Sequence, residues 1–250
     1  MRGHPRHLRR PGRHGGGAVV NAVAIPGRLS RRQIAWRAAR DFPRGACVNL
    51  GIGIPTLAAD YITPDQDIVL HSENGILGLG PAPAPEAADP NLINATKQPI
   101  TLIPGGCFFD SALSFAMIRG GHIDVALLGA LEVAETGDLA NWRTNDDRYA
   151  PGVGGAMDLA VGARHIRVAM EHVTRDGRPR LRRRCSYPLT APGVVARIYT
   201  DLAVIEVDER GFVAREIISG LGLDDLVRLS DAPIIPADDC RVLEVPALSG

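Results

Sequence analysis

The 250-residue sequence predicts a three-layer α/β fold built on a mostly parallel sheet with antiparallel additions. Strand-like apolar segments alternate with helix-like segments along most of the chain. The segment HIDVALLGALEV, which begins at His122, is strongly apolar, as a strand is when both faces of a parallel sheet are covered. A polar stretch followed by further strand-like runs near the end indicates hairpins, which supply the antiparallel additions.

The first half of the chain opens with a helix. Ser30 is predicted to cap a helix over RRQIAWRAARDF, in which apolar residues form a stripe. ACVNLGIGIP is predicted to be a short strand that runs into a Gly-Pro turn, and TLAADYI to be a helix that ends before Pro64. DIVLH is a second strand, which enters the tight turn Ser72–Gly75. The Pro-rich PAPAPEAADP is a surface excursion, because proline fits neither a helix interior nor a central strand.

The second half continues the alternation. QPITLIP is predicted to be a strand before the loop GGCFFDS, SALSFAMIRGG a helix, and PGVGGAMDLAVGA a Gly-rich turn that opens a helix. HIRVAMEHV is the next strand, and RDGRPRLRRR suggests a hairpin. RIYTDLAVIEVDERGFVAREI is predicted to form two antiparallel strands joined near Asp208–Gly211, before a short helix in SGLGLDDLVRLS. Because no repeat or linker interrupts them, residues 28–235 are predicted to form one domain, followed by a loose tail over residues 236–250.

The first 27 residues differ from the rest in composition. Residues 1–44 contain 11 arginines and one acidic residue, Asp41, although the whole chain has no net charge. The opening MRGHPRHLRRPGRHGGG has no periodicity, which indicates a disordered extension over residues 1–27 or an assigned start too far upstream. Two alternatives stay open, a secretory signal with a short apolar stretch from Ala18 to Ile25 and an Arg-rich organelle transit peptide.

Composition argues against several functional classes. The chain after residue 44 is mildly acidic, so no nucleic-acid partner is expected. No apolar run approaches the roughly 20 residues of a membrane span, so no membrane association is expected. The cysteines are widely separated and form no CxxC pair, which argues against a zinc ribbon, a redox motif or a disulfide framework. We therefore expect a cytoplasmic protein without a metal site. The cysteines are Cys47, Cys107, Cys185 and Cys240.

Reactive groups in open α/β sheets collect beyond the carboxyl ends of strands. The segments that fit this position are residues 49–53, 72–75 and 152–155. Glu73 is displayed at the end of an apolar strand, beside the turn-forming residues Ser72, Asn74 and Gly75. A carboxylate held there can act as a base, a metal ligand or a covalent nucleophile, or it can cap the next element. His71 and Glu73 form an H-x-E pair, but the P-C-x-x-C of zinc deaminases is missing.

Two further features can carry chemistry. The backbone N–H groups of Gly152–Gly155 can stabilise an oxyanion, although glycine there can equally serve tight packing. Their spacing does not match the GxGxxG pattern of dinucleotide-binding proteins. Lys97 is the single lysine beside 27 arginines. Its presence indicates a site that requires a compact ammonium group, unless it persists by chance. The histidines interpreted as structural or solvated are His122, His165 and His172.

Several long stretches in the same order carry a family resemblance. They are HSENGILGLGPAPAP, DPNLINATKQPITLIPGGCFFDSALSFAMIRGGHIDVALLGALEVAETGDLANW, PGVGGAMDLAVGA, MEHVT and CSYPLTAPGVVARIYTDLAVIEV. Over about residues 28–235 the chain resembles the B subunit of class I 3-oxoacid CoA-transferases, of the succinyl-CoA:3-oxoacid and 3-oxoadipate types. The resemblance implies the class I CoA-transferase fold, which is related to that of sugar-phosphate isomerases. It also implies a partner A subunit in an α₂β₂ heterotetramer, with acyl-CoA and a 3-oxo acid as substrates and no cofactor, since coenzyme A is itself a substrate.

The resemblance implies roles for individual residues. Glu73 matches the glutamate that attacks the acyl-CoA carbonyl, forms an acyl–glutamyl anhydride and then becomes an enzyme–CoA thioester. Gly154 matches the residue whose backbone N–H stabilises the oxyanion, and the partner A subunit supplies a second donor. The residues implied in CoA binding are Asn49, Gly51, Gly53 and Lys97.

Two positions depart from the family pattern. Thr96 stands where relatives usually have glycine, which can stiffen the loop that carries Lys97, and Leu113 replaces a common aspartate. The expected donor is succinyl-CoA, and the acceptor is acetoacetate or 3-oxoadipate. The alternatives are another acyl-CoA transferase or acyl-CoA hydrolase on the same scaffold, or a non-catalytic ligand-sensing module. A sensor would not need Glu73, Gly154 and Lys97 together.

Overall fold

The computed structural model describes residues 25, 27–146, 152 and 154–248. The predicted N-terminal extension over residues 1–27 therefore lies almost entirely outside the described residues. No helix in the described part of the chain is long and apolar enough to cross a membrane.

A large mixed sheet forms the centre of the molecule. Among the described residues its ten strands lie in the spatial order β13 (Ile234–Leu243), β12 (Gly211–Ile218), β11 (Ala203–Asp208), β10 (Val195–Tyr199), β8 (His165–Ala169), β5 (Val125–Leu128), β1 (Cys47–Leu50), β2 (Val69–Ser72), β3 (Ile76–Leu79) and β4 (Leu102–Phe108). The central run from β10 to β2 is parallel. Strands β11, β3 and β4 join it by antiparallel pairing. The predicted mostly parallel sheet with antiparallel additions is confirmed.

A smaller sheet and several helices complete the fold. Among the described residues the small sheet contains β7 (Leu139–Ala140), β6 (Glu132–Ala134) and β9 (Leu181–Arg182), in that order. The α-helices there are α1 (Arg31–Ala39), α2 (Ser111–Arg119), α3 (Ala156–Gly162) and α4 (Leu223–Arg228). Short 3₁₀ helices span Pro55–Tyr61, Pro64–Gln66 and Pro85–Ala87. Ser30 caps α1 as predicted, because its hydroxyl accepts from the Gln33 N–H and the Gln33 side chain accepts from the Ser30 N–H.

Strand register and side-chain contacts together show that α1 and α2 cover opposite faces of the large sheet, because His71 aligns across the strands with residues that alternate with Arg197 and Tyr199. Arg197 and Tyr199 of β10 both reach Asp41, which follows α1. His71 of β2 instead reaches Ser114 of α2. Between these layers every residue of β5 is buried, which confirms the strand covered on both faces.

The structure corrects four local predictions. TLAADYI lies in a 3₁₀ helix rather than an α-helix. The strand predicted in QPITLIP begins later and runs through the following glycines as β4. The predicted antiparallel pair joined near Asp208–Gly211 is confirmed as β11 and β12, but the beginning of that segment belongs to β10.

The last correction concerns the tail. Residues 236–250 are not loose throughout, because the edge strand β13 spans Ile234–Leu243 and pairs in parallel with β12. Burial of Ile234, Ala237 and Leu243 stabilises this strand, although most of its other residues are exposed.

Candidate active site

Glu73 lies in the tight turn that joins β2 to β3, at the carboxyl edge of the parallel strands. The Gly75 N–H donates to the Ser72 carbonyl oxygen at 3.0 Å, and the Phe109 N–H donates to the Gly75 carbonyl oxygen at 3.0 Å. Gly75 has a φ of 106°, and a Cβ at this position would overlap the Phe109 carbonyl oxygen. Glycine is therefore required here by both conformation and space.

The polar neighbours of Glu73 are fully engaged with the loop between β3 and β4. The Ser72 hydroxyl accepts from the Ala95 N–H at 2.9 Å. The Asn74 amide donates to the Ile93 carbonyl oxygen at 2.8 Å. The Glu73 carboxylate, in contrast, forms no hydrogen bond or ion pair with any residue that the structure describes. The turn thus holds this carboxylate between two side chains that are anchored to the neighbouring loop.

Glu73 is half-buried against the start of α3. Its Oε2 lies 2.8 Å from the point where a side chain on Gly155 would place its Cβ, and the Phe115 ring of α2 lies 3.0 Å from the same point. Burial raises the pKa of Glu73, and the negative charge of Asp158 raises it further. Asp158 is itself paired with Arg119 at 2.8 Å. A carboxylate that is less well solvated is more basic and more nucleophilic, so this setting suits covalent chemistry.

Gly154 immediately precedes the glycine that contacts Glu73. It has a φ of 53° and is exposed, and no atom of the described residues lies within 4 Å of the point where a Cβ would be. The structure therefore places Gly154 beside the candidate nucleophile. Its role as an oxyanion donor stays a prediction, as does that of Gly152, which is exposed in the same segment.

Lys97 lies on the loop that is hydrogen-bonded to the Glu73 turn. Its backbone is left-handed, with a φ of 64°. The Asn94 side-chain oxygen accepts from the N–H groups of Thr96 and Gln98, each at 2.9 Å. The Thr96 hydroxyl adds bonds to Asn94 at 2.7 Å and Gln98 at 3.0 Å. This departure from the family pattern therefore braces the loop, and the exposed Lys97 is presented from a turn fixed close to Glu73.

The glycine-rich turn after β1 reaches the same edge of the sheet. The Gly51 N–H donates to the Leu127 carbonyl oxygen at 2.8 Å, and a Cβ on Gly51 would lie 3.2 Å from that oxygen. Gly53 has a φ of 92°. Asn49 is buried, and its amide nitrogen contacts His71 rather than solvent. Binding of CoA by Asn49, Gly51 and Gly53 stays a prediction.

Two residues around the site, Ser114 and Phe115, were not recognised from the sequence, and Gly155 was recognised only as part of the Gly152–Gly155 run. They approach His71 and Glu73 only through the fold, since they lie more than 40 positions away along the chain. His71 was recognised from the sequence only as half of an H-x-E pair, and its contact with Ser114 was not predicted. Among the described residues no group of three histidine, cysteine or carboxylate side chains could hold a metal ion.

Comparison with known proteins gives consistent matches. The family model for coenzyme A transferase matches residues 31–228. The chain is 53% identical over 213 residues to the B subunit of 3-oxoadipate CoA-transferase from Pseudomonas putida, covering 85% of this chain and 100% of the relative. It is 47% identical to the B subunit of succinyl-CoA:3-ketoacid coenzyme A transferase from Helicobacter pylori, covering 81% and 97%. It is 45% identical to the human mitochondrial succinyl-CoA:3-ketoacid coenzyme A transferase 2, covering 86% of this chain and 42% of that one.

Solved structures share the fold at lower identity. An acyl-CoA transferase from Escherichia coli, YdiF, has a TM-score of 0.69 at 21% identity, covering 89% of this chain and 44% of that one. The chain therefore spans less than half the length of YdiF. Glutaconate coenzyme A-transferase from Acidaminococcus fermentans has a TM-score of 0.65 at 16% identity, covering 88% and 91%. These likenesses confirm the predicted fold class.

Proposed function

This chain belongs to the coenzyme A transferase family, and on that premise we propose that it is the catalytic B subunit of a two-subunit transferase. The proposed reaction moves CoA from succinyl-CoA to a 3-oxo acid, either 3-oxoadipate or acetoacetate. Both substrate types are supported by the names of relatives that are 45–53% identical to this chain. We also propose a cytoplasmic location, which the four unpaired cysteines support.

The availability of the Glu73 carboxylate is the observation that carries this proposal. Both polar neighbours in its turn are hydrogen-bonded to the scaffold, whereas Glu73 has no such partner among the described residues. A residue that served only to cap the turn would be expected to accept a backbone N–H. A nucleophile must instead keep its carboxylate oxygens available for the substrate.

The proposed chemistry has two exchanges in each half-reaction. A Glu73 oxygen attacks the thioester carbonyl carbon of the acyl-CoA, and the C–S bond breaks to release CoA thiolate and leave a mixed anhydride. The thiolate then attacks the Glu73 carbonyl carbon, which expels the free carboxylate and forms an enzyme–CoA thioester. The 3-oxo acid reverses these steps. Across the complete reaction, one thioester and one carboxylate are exchanged for another such pair, so the transfer is nearly isoenergetic, and binding of the CoA chain can be used to lower the barriers.

Backbone and loop groups support the same chemistry. Each tetrahedral intermediate carries an oxyanion, and a donor preorganised beside it accelerates the reaction. We assign that donor to the backbone N–H of Gly154, which lies next to the glycine in contact with Glu73. We assign to Lys97 an ion pair with a phosphate or carboxylate of the substrate, because its exposed ammonium is carried on the loop fixed to the Glu73 turn.

We also propose that the active enzyme contains a separate A subunit, in an α₂β₂ assembly. Two relatives are named as B subunits of larger enzymes, and a human relative carries more than half of its length outside the matching region. Three large apolar side chains are exposed on the helices beside Glu73, namely Leu113, Met157 and Val161. Helices α2 and α3 pack against each other, and exposed apolar side chains on both favour a protein interface, so we place the A subunit there.

Intact-protein mass spectrometry tests the proposal directly. The chain, co-purified with its A subunit, is mixed with succinyl-CoA or acetoacetyl-CoA, and we expect it to gain the mass of CoA less one water. Glu73→Gln should give no adduct and lower turnover by about 10⁴-fold or more, since no nucleophile remains. The control is Glu86→Gln, which removes an exposed carboxylate from the Pro-rich excursion. Release of acid without any CoA adduct would contradict the transferase and favour a hydrolase.

A further inference from the structure

A buried polar trio lies beneath the turn that carries Glu73. Asn49 of β1, His71 of β2 and Ser114 of α2 are all nearly inaccessible to solvent. The Asn49 amide nitrogen lies 3.1 Å from His71 Nδ1 and donates to the His71 carbonyl oxygen at 3.3 Å. On the other side of the ring, His71 Nε2 lies 3.1 Å from the Ser114 hydroxyl. The trio therefore joins two strands and one helix through a single imidazole.

The contacts of this trio determine where the imidazole proton resides. A carbonyl oxygen can only accept, so the Asn49 amide must turn its NH₂ group toward His71. His71 Nδ1 then faces a donor and must accept, which leaves the proton on Nε2, directed at the Ser114 hydroxyl. Burial lowers the pKa of His71 to about 4, and the Phe109 ring stacks on the imidazole with centroids 6.1 Å apart. The ring is thus neutral near pH 7, in one tautomer.

Each end of the trio leads to a wall of the candidate active site. The His71 carbonyl that Asn49 holds lies one residue before the Ser72–Gly75 turn, and Glu73 follows two residues after His71. Ser114 precedes Phe115, whose ring packs against the same glycine that Glu73 contacts. The imidazole bridge therefore joins the strand that leads to Glu73 with the helix that carries Phe115.

From this geometry we propose that His71 is a positioning residue for Glu73, acting as the neutral Nε2–H tautomer between Asn49 and Ser114. This inference rests on the proposed role of Glu73 as the nucleophile. Displacement of a reacting group by about 1 Å can slow a reaction by about 100-fold. Removing the bridge should therefore slow attack by Glu73 while leaving the binding of the CoA ester intact.

The test separates positioning from stability by comparing two buried histidines. His172 follows β8, is fully buried, and is hydrogen-bonded through both ring nitrogens, to Thr200 at 3.1 Å and Ser230 at 2.9 Å. His71→Leu and His172→Leu are each co-purified with the A subunit. For both, thermal unfolding, the KM for succinyl-CoA and the single-turnover rate of thioester formation are measured.

We expect both variants to unfold at lower temperature, but only His71→Leu to form the thioester more slowly. At temperatures where both are folded, the decrease for His71→Leu should be about 10- to 100-fold, with KM unchanged within about threefold. His71→Gln, which can still donate to Ser114, should recover part of the rate. Ser114→Ala should also slow the step, and it provides the test if the His71 variants fail to fold.

The outcomes distinguish this inference from the proposed function. Wild-type rates in His71→Leu and Ser114→Ala, in an enzyme whose thioester depends on Glu73, would overturn the positioning role alone. An equal loss of rate in His172→Leu would also overturn it, since general destabilisation would then account for the effect. Absence of a thioester in the wild-type enzyme would overturn the proposed function and the positioning role together.

Discussion

The two faces of the large sheet are built from different interactions. On the face covered by α1, charged side chains pair with one another, and Arg37 donates to Glu216 at 2.7 and 2.9 Å and to Asp41 at 2.6 Å. On the face covered by α2, the Asn49–His71–Ser114 trio is uncharged, and the carboxylate nearby, Glu73, has no partner among the described residues. The difference indicates that one face stabilises the fold while the other keeps a reactive group available.

The carboxylates of the two faces differ in pKa accordingly. Burial would raise the pKa of Glu216, but hydrogen bonds from Arg37 and Arg241 outweigh it and lower the pKa. The same balance, with bonds from Arg37 and Tyr199, lowers the pKa of Asp41. Burial raises the pKa of Glu73 because no such donor among the described residues opposes it. The pKa values of these three partly or fully buried carboxylates therefore shift in opposite directions, depending on whether an arginine is paired with them.

The largest effect on stability is expected from Glu216→Ala. This change removes the bidentate partner of the part-buried Arg37, which keeps its bond to Asp41, so the cost should be about 3 kcal/mol, the upper end for hydrogen bonds to a charged group. The free energy of unfolding, measured in urea at pH 7, should fall by that amount, while thioester formation by the folded enzyme is unchanged. The control Glu209→Ala removes an exposed carboxylate and should cost less than about 0.5 kcal/mol.

The pH dependence sharpens this prediction. The folded-state pKa of Glu216 lies below its unfolded value, so its contribution is complete above the unfolded pKa and is lost as the pH falls through the folded one. The difference in the free energy of unfolding between the wild-type protein and Glu216→Ala should therefore become smaller as the pH is lowered. If Glu216→Ala were as stable as the wild-type protein but formed no thioester, this result would contradict the division of roles between the two faces of the sheet.

An effect of intermediate size, on association with the A subunit, is expected from Val161→Glu on the opposite face of the sheet. Val161 of α3 is 70% exposed, so the change should leave the chain folded. If the A subunit covers this side chain, burial of an unpaired carboxylate should weaken association by about 2 kcal/mol, or roughly 30-fold in Kd. Sedimentation velocity with the A subunit measures this difference.

The matched control for the interface is Val242→Glu. Val242 is 54% exposed on β13. This strand lies at the edge of the large sheet, four strands away from β8, the strand that follows α3 along the chain. Association should be unchanged in this variant. Equal weakening by both substitutions, or by neither, would contradict the placement of the A subunit on α2 and α3.

The smallest effect is expected from Asp158→Asn. The charge of Asp158 contributes to the raised pKa of Glu73, although burial contributes more. Since attack requires ionised Glu73, removing this charge should shift the acidic limb of the kcat/KM profile to lower pH and leave the rate above that limb unchanged. Arg119→Gln frees Asp158 from its ion pair and should shift the limb to higher pH. Shifts in the same direction would contradict the electrostatic account.

Local patterns in the sequence predicted most of the fold. The Ser30 cap and the apolar β5 depend on neighbouring residues, so both could be recognised without tertiary information. Strand β13 could not be recognised in this way. Most of its residues are exposed, so it lacks the alternation of buried and exposed residues, and its parallel pairing with β12 depends on the fold. Strand β4 was misplaced because Gly105 and Gly106 in its middle are typical of a loop and most of its residues are exposed.

The candidate site was predicted less completely. Glu73 was singled out because its turn residues are adjacent in sequence, whereas the glycine-rich run indicated residues 152–155 together and only the family resemblance singled out Gly154. The link from His71 to Ser114 spans 43 positions and arises only when α2 packs on the sheet. Likewise, nothing in the composition indicated that Gly155 would contact the carboxylate.

The single lysine has a practical consequence for spectroscopy. Apart from the N-terminus, Lys97 carries the only primary amine of this chain to which an amine-reactive dye can attach, since the 27 arginine side chains end in guanidinium groups. The loop that carries Lys97 is joined to the Glu73 turn through Ser72 and Asn74. A fluorophore at that position would therefore report movement of the turn in the unaltered sequence, without engineered cysteines.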